Sequence, residues 1–137
     1  MWSDFCLQIT NFTMSEYPRL YNLVILEELG DPSAILEVLS MFFDSAPHDI
    51  QELEKLFIEK KAIPLSQLAH KIKTVVSLLQ SFRLIDLLKT IETRTKETGE
   101  VASVANEVTE VVYLFAELEK QLHQEWERLK KEQSTHN

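Results

Sequence analysis

The chain has 137 residues, 22 of them acidic and 14 basic, and a formal net charge of −8. With 45% hydrophobic and 26% charged residues it is too apolar for a disordered chain and long enough to bury one core without staples. Two glycines leave no glycine-rich phosphate loop, one cysteine leaves no disulfide framework or cysteine-based zinc site, and the acidic balance disfavours nonspecific nucleic-acid binding.

A single unpartnered thiol, Cys6, fits a reducing cytoplasm. The first twenty residues carry neither a basic n-region nor a sustained apolar core, so no secretory signal is expected. No apolar run approaches the ~20 residues that a membrane span needs. The expectation is a cytoplasmic protein that engages neither membrane nor nucleic acid.

Residues 1–16 have no clean period and read as a loose arm. From Pro18 to Leu29, Leu20, Leu23, Val24, Leu26 and Leu29 predict a short helix that stops at Gly30. Asp31 and Pro32 then supply an N-cap and a proline at the first helical position. The next helix carries Ile35, Leu39, Phe42, Phe43, Ala46, Ile50, Leu53 and Phe57 at steps of three and four. Pro47 lies inside it, and the loss of one backbone donor predicts a kink or a division into two. A third element has Pro64 in its first turn and a stripe of Leu65, Leu68, Ala69, Ile72, Val76 and Leu79. A fourth has Leu84, Leu88 and Ile91, with Gly99 as its stop. The last, beginning near Glu100, repeats Val101, Val104, Val108, Val111, Phe115, Leu118, Leu122, Trp126 and Leu129. Glu132 to Asn137 reads as a polar, frayed tail.

No long segment alternates with the period of a half-buried strand. Short connections between amphipathic helices favour antiparallel neighbours. The fold class is therefore all-α: an antiparallel four-helix bundle over about 32–60, 62–80, 82–97 and 100–131, with an additional short N-terminal helix packed across it. In domain terms this is an arm over 1–16, a helical bundle over 17–131 and a tail over 132–137.

Charge is uneven. Residues 1–59 are net −9, residues 60–96 net +6, and residues 97–137 net −5. A cationic middle inside an acidic protein marks either a docking surface for an acidic partner or neighbouring helices that neutralise one another.

One histidine stands apart. On a wheel at about 100° per residue with Leu65 at zero, the core stripe of the third helix spans about 300° to 40°, and His70 falls at about 140°. It projects away from the core, with Ser66, Gln67, Lys73, Thr74 and Ser77 around it. A solvent-facing imidazole near neutral pH is substantially uncharged and carries a nucleophilic ring nitrogen. Lys73, one turn on, lies where it could meet the oxygens of a phosphoryl group on that nitrogen. The bland alternative is an ordinary surface histidine. The other three offer less: His48 follows Pro47 and predicts a local polar contact, His123 has Glu119 four residues earlier and predicts a surface pair, and His136 is in the tail.

The stretch Leu68-Ala69-His70-Lys71-Ile72-Lys73-Thr74-Val75-Val76-Ser77-Leu78-Leu79-Gln80 resembles the signature of histidine-containing phosphotransfer (HPt) domains. That signature is Ala-His-x-Leu-Lys-Gly/Ser-Ser/Ala, then small or apolar residues and usually Leu-Gly. Leu20-Tyr21-Asn22-Leu23 with Leu26-Glu27-Glu28-Leu29-Gly30-Asp31 is similar to the family's entry, and Met41-Phe42-Phe43-Asp44-Ser45-Ala46-Pro47 to its Leu-Phe-x-x-x-Ala-Pro segment. The likeness spans about residues 20–125.

The resemblance implies a carrier without kinase activity of its own. His70 would be the phosphoacceptor and Lys73 the phosphate-stabilising lysine. Thr74 stands where the family usually has glycine or serine, so its methyl would tighten access to the ring. Gln80 stands at the usual glycine, which would change the helix end or its packing. Ser66, Gln67, Lys71, Thr74, Ser77 and Leu78 would form the docking and access surface, with Ile63 as a further apolar contact. Partners would be response-regulator receiver domains and a hybrid histidine kinase. No cofactor or metal of its own is implied, since Mg²⁺ would come with the receiver, and a monomer is expected.

Two function classes follow. One is a phosphorelay intermediate that takes a phosphoryl group from a receiver aspartate and passes it to another receiver. The alternative is a binding module of the same fold that docks response regulators without efficient transfer, an option that Thr74 keeps open. A metal-loaded bundle would need Glu-x-x-His pairs, and the sequence has none. A coiled-coil role for the last helix, if it overhangs the bundle, is a further structural option.

Overall fold

The structure is a computed structural model and describes residues 18–136. Residues 1–16, read above as an arm, lie outside the described residues, as does Asn137. Five α-helices follow in order among those described: α1 (Val24–Leu29), α2 (Pro32–Ile58), α3 (Ala62–Leu78), α4 (Phe82–Thr98) and α5 (Ala105–His136), with a 3₁₀ turn over Ala102–Val104 before α5. No strand occurs among them.

The bundle closes as a ring. α2 packs on α3 and α5, and α4 packs on the same two helices. Buried residues from all five helices meet in one core, with Leu39, Leu53, Leu65, Val76, Leu88, Ile91, Leu118 and Leu122 fully enclosed. The stripes expected for the four long helices are those buried, with Phe43, Phe57, Leu68, Trp126 and Leu129 packed partly exposed against the core; in the first short helix Leu23 and Leu26 are buried but Val24 is exposed. Leu56, Leu87 and Leu114 are buried as well, beside the expected positions rather than on them.

Helix starts and stops explain the antiparallel turns. The Asp31 carboxylate accepts the Ala34 amide at 3.1 Å, with Pro32 at the first helical position. Between α2 and α3, Lys60 adopts φ 59°, and the amides of Lys60 and Lys61 donate to the carbonyls of Phe57 and Leu56. Gln80 does the same after α3 at φ 51°, with Gln80 and Ser81 donating to Ser77 and Val76. Both are Schellman closures, in which one left-handed residue satisfies the last carbonyls. The Gln80 position therefore demands the backbone that glycine adopts most easily. Gly99 closes α4 at φ 71°.

Several boundaries move. α1 begins at Val24 rather than Pro18 because the preceding backbone is engaged elsewhere. The Gln121 side chain accepts the Leu20 amide at 2.8 Å and donates to the Pro18 carbonyl at 3.0 Å, and the Asn22 amide donates to the Leu79 carbonyl at 2.8 Å. This segment thereby closes the end of the bundle at the α3–α4 turn. Gly30 ends α1 in an extended conformation, not the left-handed one. Its need for glycine is close approach: a Cβ there would lie 2.8 Å from Ala34 Cβ.

α2 is not divided at Pro47. It runs continuously from Pro32 to Ile58, with Phe42, Ala46, Ile50 and Leu53 buried on both sides of the proline. That packing outweighs one missing hydrogen bond. The last helix is interrupted at its start by the 3₁₀ turn and continues through the expected tail to His136. There the Gln133 amide donates to Ser33 Oγ at 3.2 Å, so α5 stays paired with the start of α2.

Candidate functional site

His70 stands in the middle of α3 with its side chain 60% exposed. The exposed face that carries it also holds Ile63, Gln67, Thr74 and Leu78. Leu65, Ala69, Ile72 and Val76, on the opposite face, fix the helix in the core. The ring therefore rides on a rigid support.

The residue that completes the site comes from α4. Glu92 Oε2 lies 2.8 Å from His70 Nδ1, and Glu92 Oε1 lies 2.8 Å from Lys73 Nζ. One carboxylate thus bridges the imidazole and the ammonium. An ionised carboxylate only accepts, so Nδ1 must be the donor. In the neutral ring this leaves Nε2 unprotonated, with its lone pair free. No hydrogen bond engages Nε2 among the described residues.

Glu92 is largely enclosed, with 21% of its side chain exposed, and Lys73 is similarly covered at 23%. Burial pushes the Glu92 carboxyl up. The hydrogen bonds from Lys73 and His70 and their charges together outweigh it and hold the group below its ordinary range. The carboxylate is thus kept ionised beside the ring.

The docking residues named from sequence divide three ways. Gln67, Thr74 and Leu78 are exposed, as is Ile63, with Leu78 at 42% and Ile63 at 51%. The Thr74 hydroxyl folds back onto the His70 carbonyl at 3.1 Å, and the imidazole beside it remains open. Ser77 is half-buried and donates to the Lys73 carbonyl at 2.7 Å.

Ser66 does not belong to the access surface. It is 6% exposed, and its hydroxyl donates to the Glu92 carbonyl at 3.0 Å. The reason is angular: at about 100° on the wheel it lies on the flank that meets α4, beside Lys73 at about 80°. Lys71, on the opposite flank, is exposed but leans toward α2, where Asp49 Oδ1 accepts from its ammonium at 3.2 Å. The cationic middle of the chain is thus partly neutralised by neighbours, through Lys71–Asp49, Lys73–Glu92 and Arg94–Glu107.

An apolar groove of about 520 Å³ opens between α2 and α3, lined by Val38, Met41, Phe42, Val75, Leu78 and Leu79, with Asp44 and Ser45 also at its edge. Met41 and Leu78 expose large apolar surface there. Leu78 is eight residues beyond His70, about 12 Å along the helix.

The other histidines lie away from this site. His123 does not form the expected surface pair: its ring stacks on Phe43 with centroids 3.7 Å apart and planes 9° from parallel. His48 is exposed, and the His136 side chain lies outside what is described. Among the described residues no group of three or more histidine, cysteine or carboxylate side chains converges as a metal site, and no helix is long and apolar enough to cross a membrane.

Sequence reasoning missed Glu92. It has no fixed spacing from His70 because a turn and half a helix separate them. The available signal was negative: it is one of only two acidic residues, with Asp86, in the basic stretch 60–96. Residues 37–132 match the family model described as Hpt domain. No curated protein and no solved structure matches the chain.

Proposed function

This chain belongs to the Hpt domain family, and on that premise we propose that it is a phosphorelay intermediate whose His70 reversibly carries a phosphoryl group between receiver domains. The observation that supports this best is the orientation of one ring: Nδ1 is held by Glu92 at 2.8 Å while the solvent-facing ring keeps Nε2 as its free lone pair.

The chemistry follows from that tautomer. The Nε2 lone pair attacks the phosphorus of a receiver's aspartyl phosphate, and the aspartate leaves with the P–O bonding pair as a carboxylate. The ring gains a positive charge as the N–P bond forms, and the proton on Nδ1 stays where it is, opposite the Glu92 carboxylate. Donation to a second aspartate reverses every bond change. Positioning and charge neutralisation suffice for this step. Lys73 shares the Glu92 carboxylate with the ring and would meet the phosphoryl oxygens. The receiver would bring the aspartate and Mg²⁺.

Receiver docking would centre on the exposed face of α3. Gln67, Thr74 and Leu78 surround the imidazole, Ile63 extends the face, Lys71 flanks it with its ammonium paired to Asp49, and the α2–α3 groove offers apolar contact along one side. The setting would be a cytoplasmic protein without kinase activity, a monomer, fed by a receiver of a hybrid histidine kinase.

The test is incubation with a phosphorylated receiver domain, comparing the wild type with His70→Gln. The expected result is acid-labile label on the wild type alone. Equal labelling of both would defeat the assignment. Stable receiver binding with no transfer to either would favour the binding-module reading, which the exposure of His70 beside Thr74 argues against.

A further inference from the structure

We propose that Glu92 acts as a positioning residue that biases the phosphoryl group off His70, so that the protein favours donation over storage. The inference rests on the phosphotransfer reading above and concerns the regulation of that same site.

Three observations carry it. First, Glu92 is bonded at 2.8 Å to both His70 Nδ1 and Lys73 Nζ, so the cation that phosphoryl oxygens need is already engaged. A phosphoryl group must draw Lys73 away from a carboxylate. Second, that carboxylate cannot readily withdraw. Its side chain is largely enclosed, and the Glu92 carbonyl is held by Ser66 Oγ at 3.0 Å. The dianionic phosphoryl group therefore competes with a fixed negative charge for Lys73, a competition only partly offset by the attraction of that charge for the ring once phosphorylation makes it positive. Third, the carboxylate keeps the proton on Nδ1. The group expelled on donation is then neutral imidazole and not imidazolate, which leaves far more readily. Lys71 does not offset the charge from the other flank, because its ammonium meets Asp49 on α2.

The bond changes on donation are complete without any further reactant. The receiver's aspartate oxygen forms a P–O bond, the N–P bond breaks, its electron pair returns to Nε2, and the Nδ1 proton remains in place.

The experiment uses the full chain with one purified receiver domain and measures two quantities for wild type and Glu92→Gln. One is the equilibrium ratio of phosphohistidine to phosphoaspartate. The other is the lifetime of the phosphohistidine once the receiver is removed. The amide keeps the shape of Glu92 and can still accept from Nδ1, but it removes the charge and frees Lys73. The expected result is an equilibrium shifted about tenfold toward phosphohistidine, equivalent to about 1.4 kcal/mol, with a longer lifetime. The shift should shrink when Lys73→Gln is present in both proteins. Glu92→Ala, measured alongside, should move the ratio in the same direction.

If the variants slow forward and reverse transfer equally and leave ratio and lifetime unchanged, Glu92 only orients the ring and the inference is overturned. If the wild type itself takes up no label, the phosphotransfer reading fails first and this one with it.

Discussion

Ser66 and Glu92 are joined by a hydrogen bond of 3.0 Å from the α3 hydroxyl to the α4 carbonyl, one helical turn before His70 meets the side chain of the same Glu92. Two residues spaced by four on α3 therefore grip one residue of α4, by backbone and by carboxylate. The site is tied to the helix pair and not merely laid on its surface.

Ser66→Ala tests that tie. Removing a buried hydrogen bond of this kind costs about 0.5–1.5 kcal/mol. Chemical denaturation should show that loss, and phosphoryl transfer to His70 should slow although Ser66 never reaches the surface. A variant with wild-type transfer would show that Glu92 holds its position without Ser66.

Lys73→Gln should leave the Nδ1–Glu92 bond in place and cost no more than about 1 kcal/mol of stability, the scale of a partly exposed ion pair. Its effect should fall on the phosphorylated protein, as a lower yield of phosphohistidine and a shorter lifetime. Denaturation and label decay together check this. A bundle that unfolds on loss of Lys73 would contradict its placement on the flank of α3.

Gln80 offers a prediction about the scaffold alone. Its φ of 51° is a conformation that strains a side chain with a Cβ. Gln80→Gly relieves that strain but frees more of the unfolded backbone. The balance should stabilise the bundle by about 0.5–1 kcal/mol and raise Tm by a few degrees. A fall in Tm would mean that the Gln80 side chain contributes packing that outweighs the strain.

The sequence discloses helices more readily than what joins them. Apolar steps of three and four placed Leu39, Leu65, Leu88 and Leu118 in the core, because a helix buries whatever lies on one side of it. The same wheel set His70 opposite that side. At Pro47 local propensity favours a division of the helix, while burial on both sides of it favours continuity. Ser66 misled because a flank at about 100° reads as polar surface until a neighbouring helix covers it. His123 has Glu119 four residues earlier on its own helix, whereas its partner is Phe43 across the bundle. Glu92 was invisible for the same reason: pairing between helices leaves no fixed interval in the chain.

Acid should expose the Glu92 network. Its carboxyl lies below the ordinary value of about 4.5 in the folded protein. A lowered folded value stabilises the native state above the unfolded pKa, and that contribution disappears as pH falls through the folded one. The stability gap between wild type and Glu92→Gln should therefore be widest near neutrality and shrink as pH falls below about 4.5. Denaturant midpoints from pH 3 to 7 provide the check, and a gap that does not change with pH would contradict the ionised bridge.

On this mechanism phosphorus joins one particular nitrogen of one residue. Nitrogen and phosphorus NMR of the phosphorylated protein, with labelled histidine, reads this directly. The expected spectrum shows a single phosphohistidine at residue 70, substituted at Nε2, with Nδ1 still protonated toward Glu92. Phosphorus on Nδ1, or on any other residue, would contradict it.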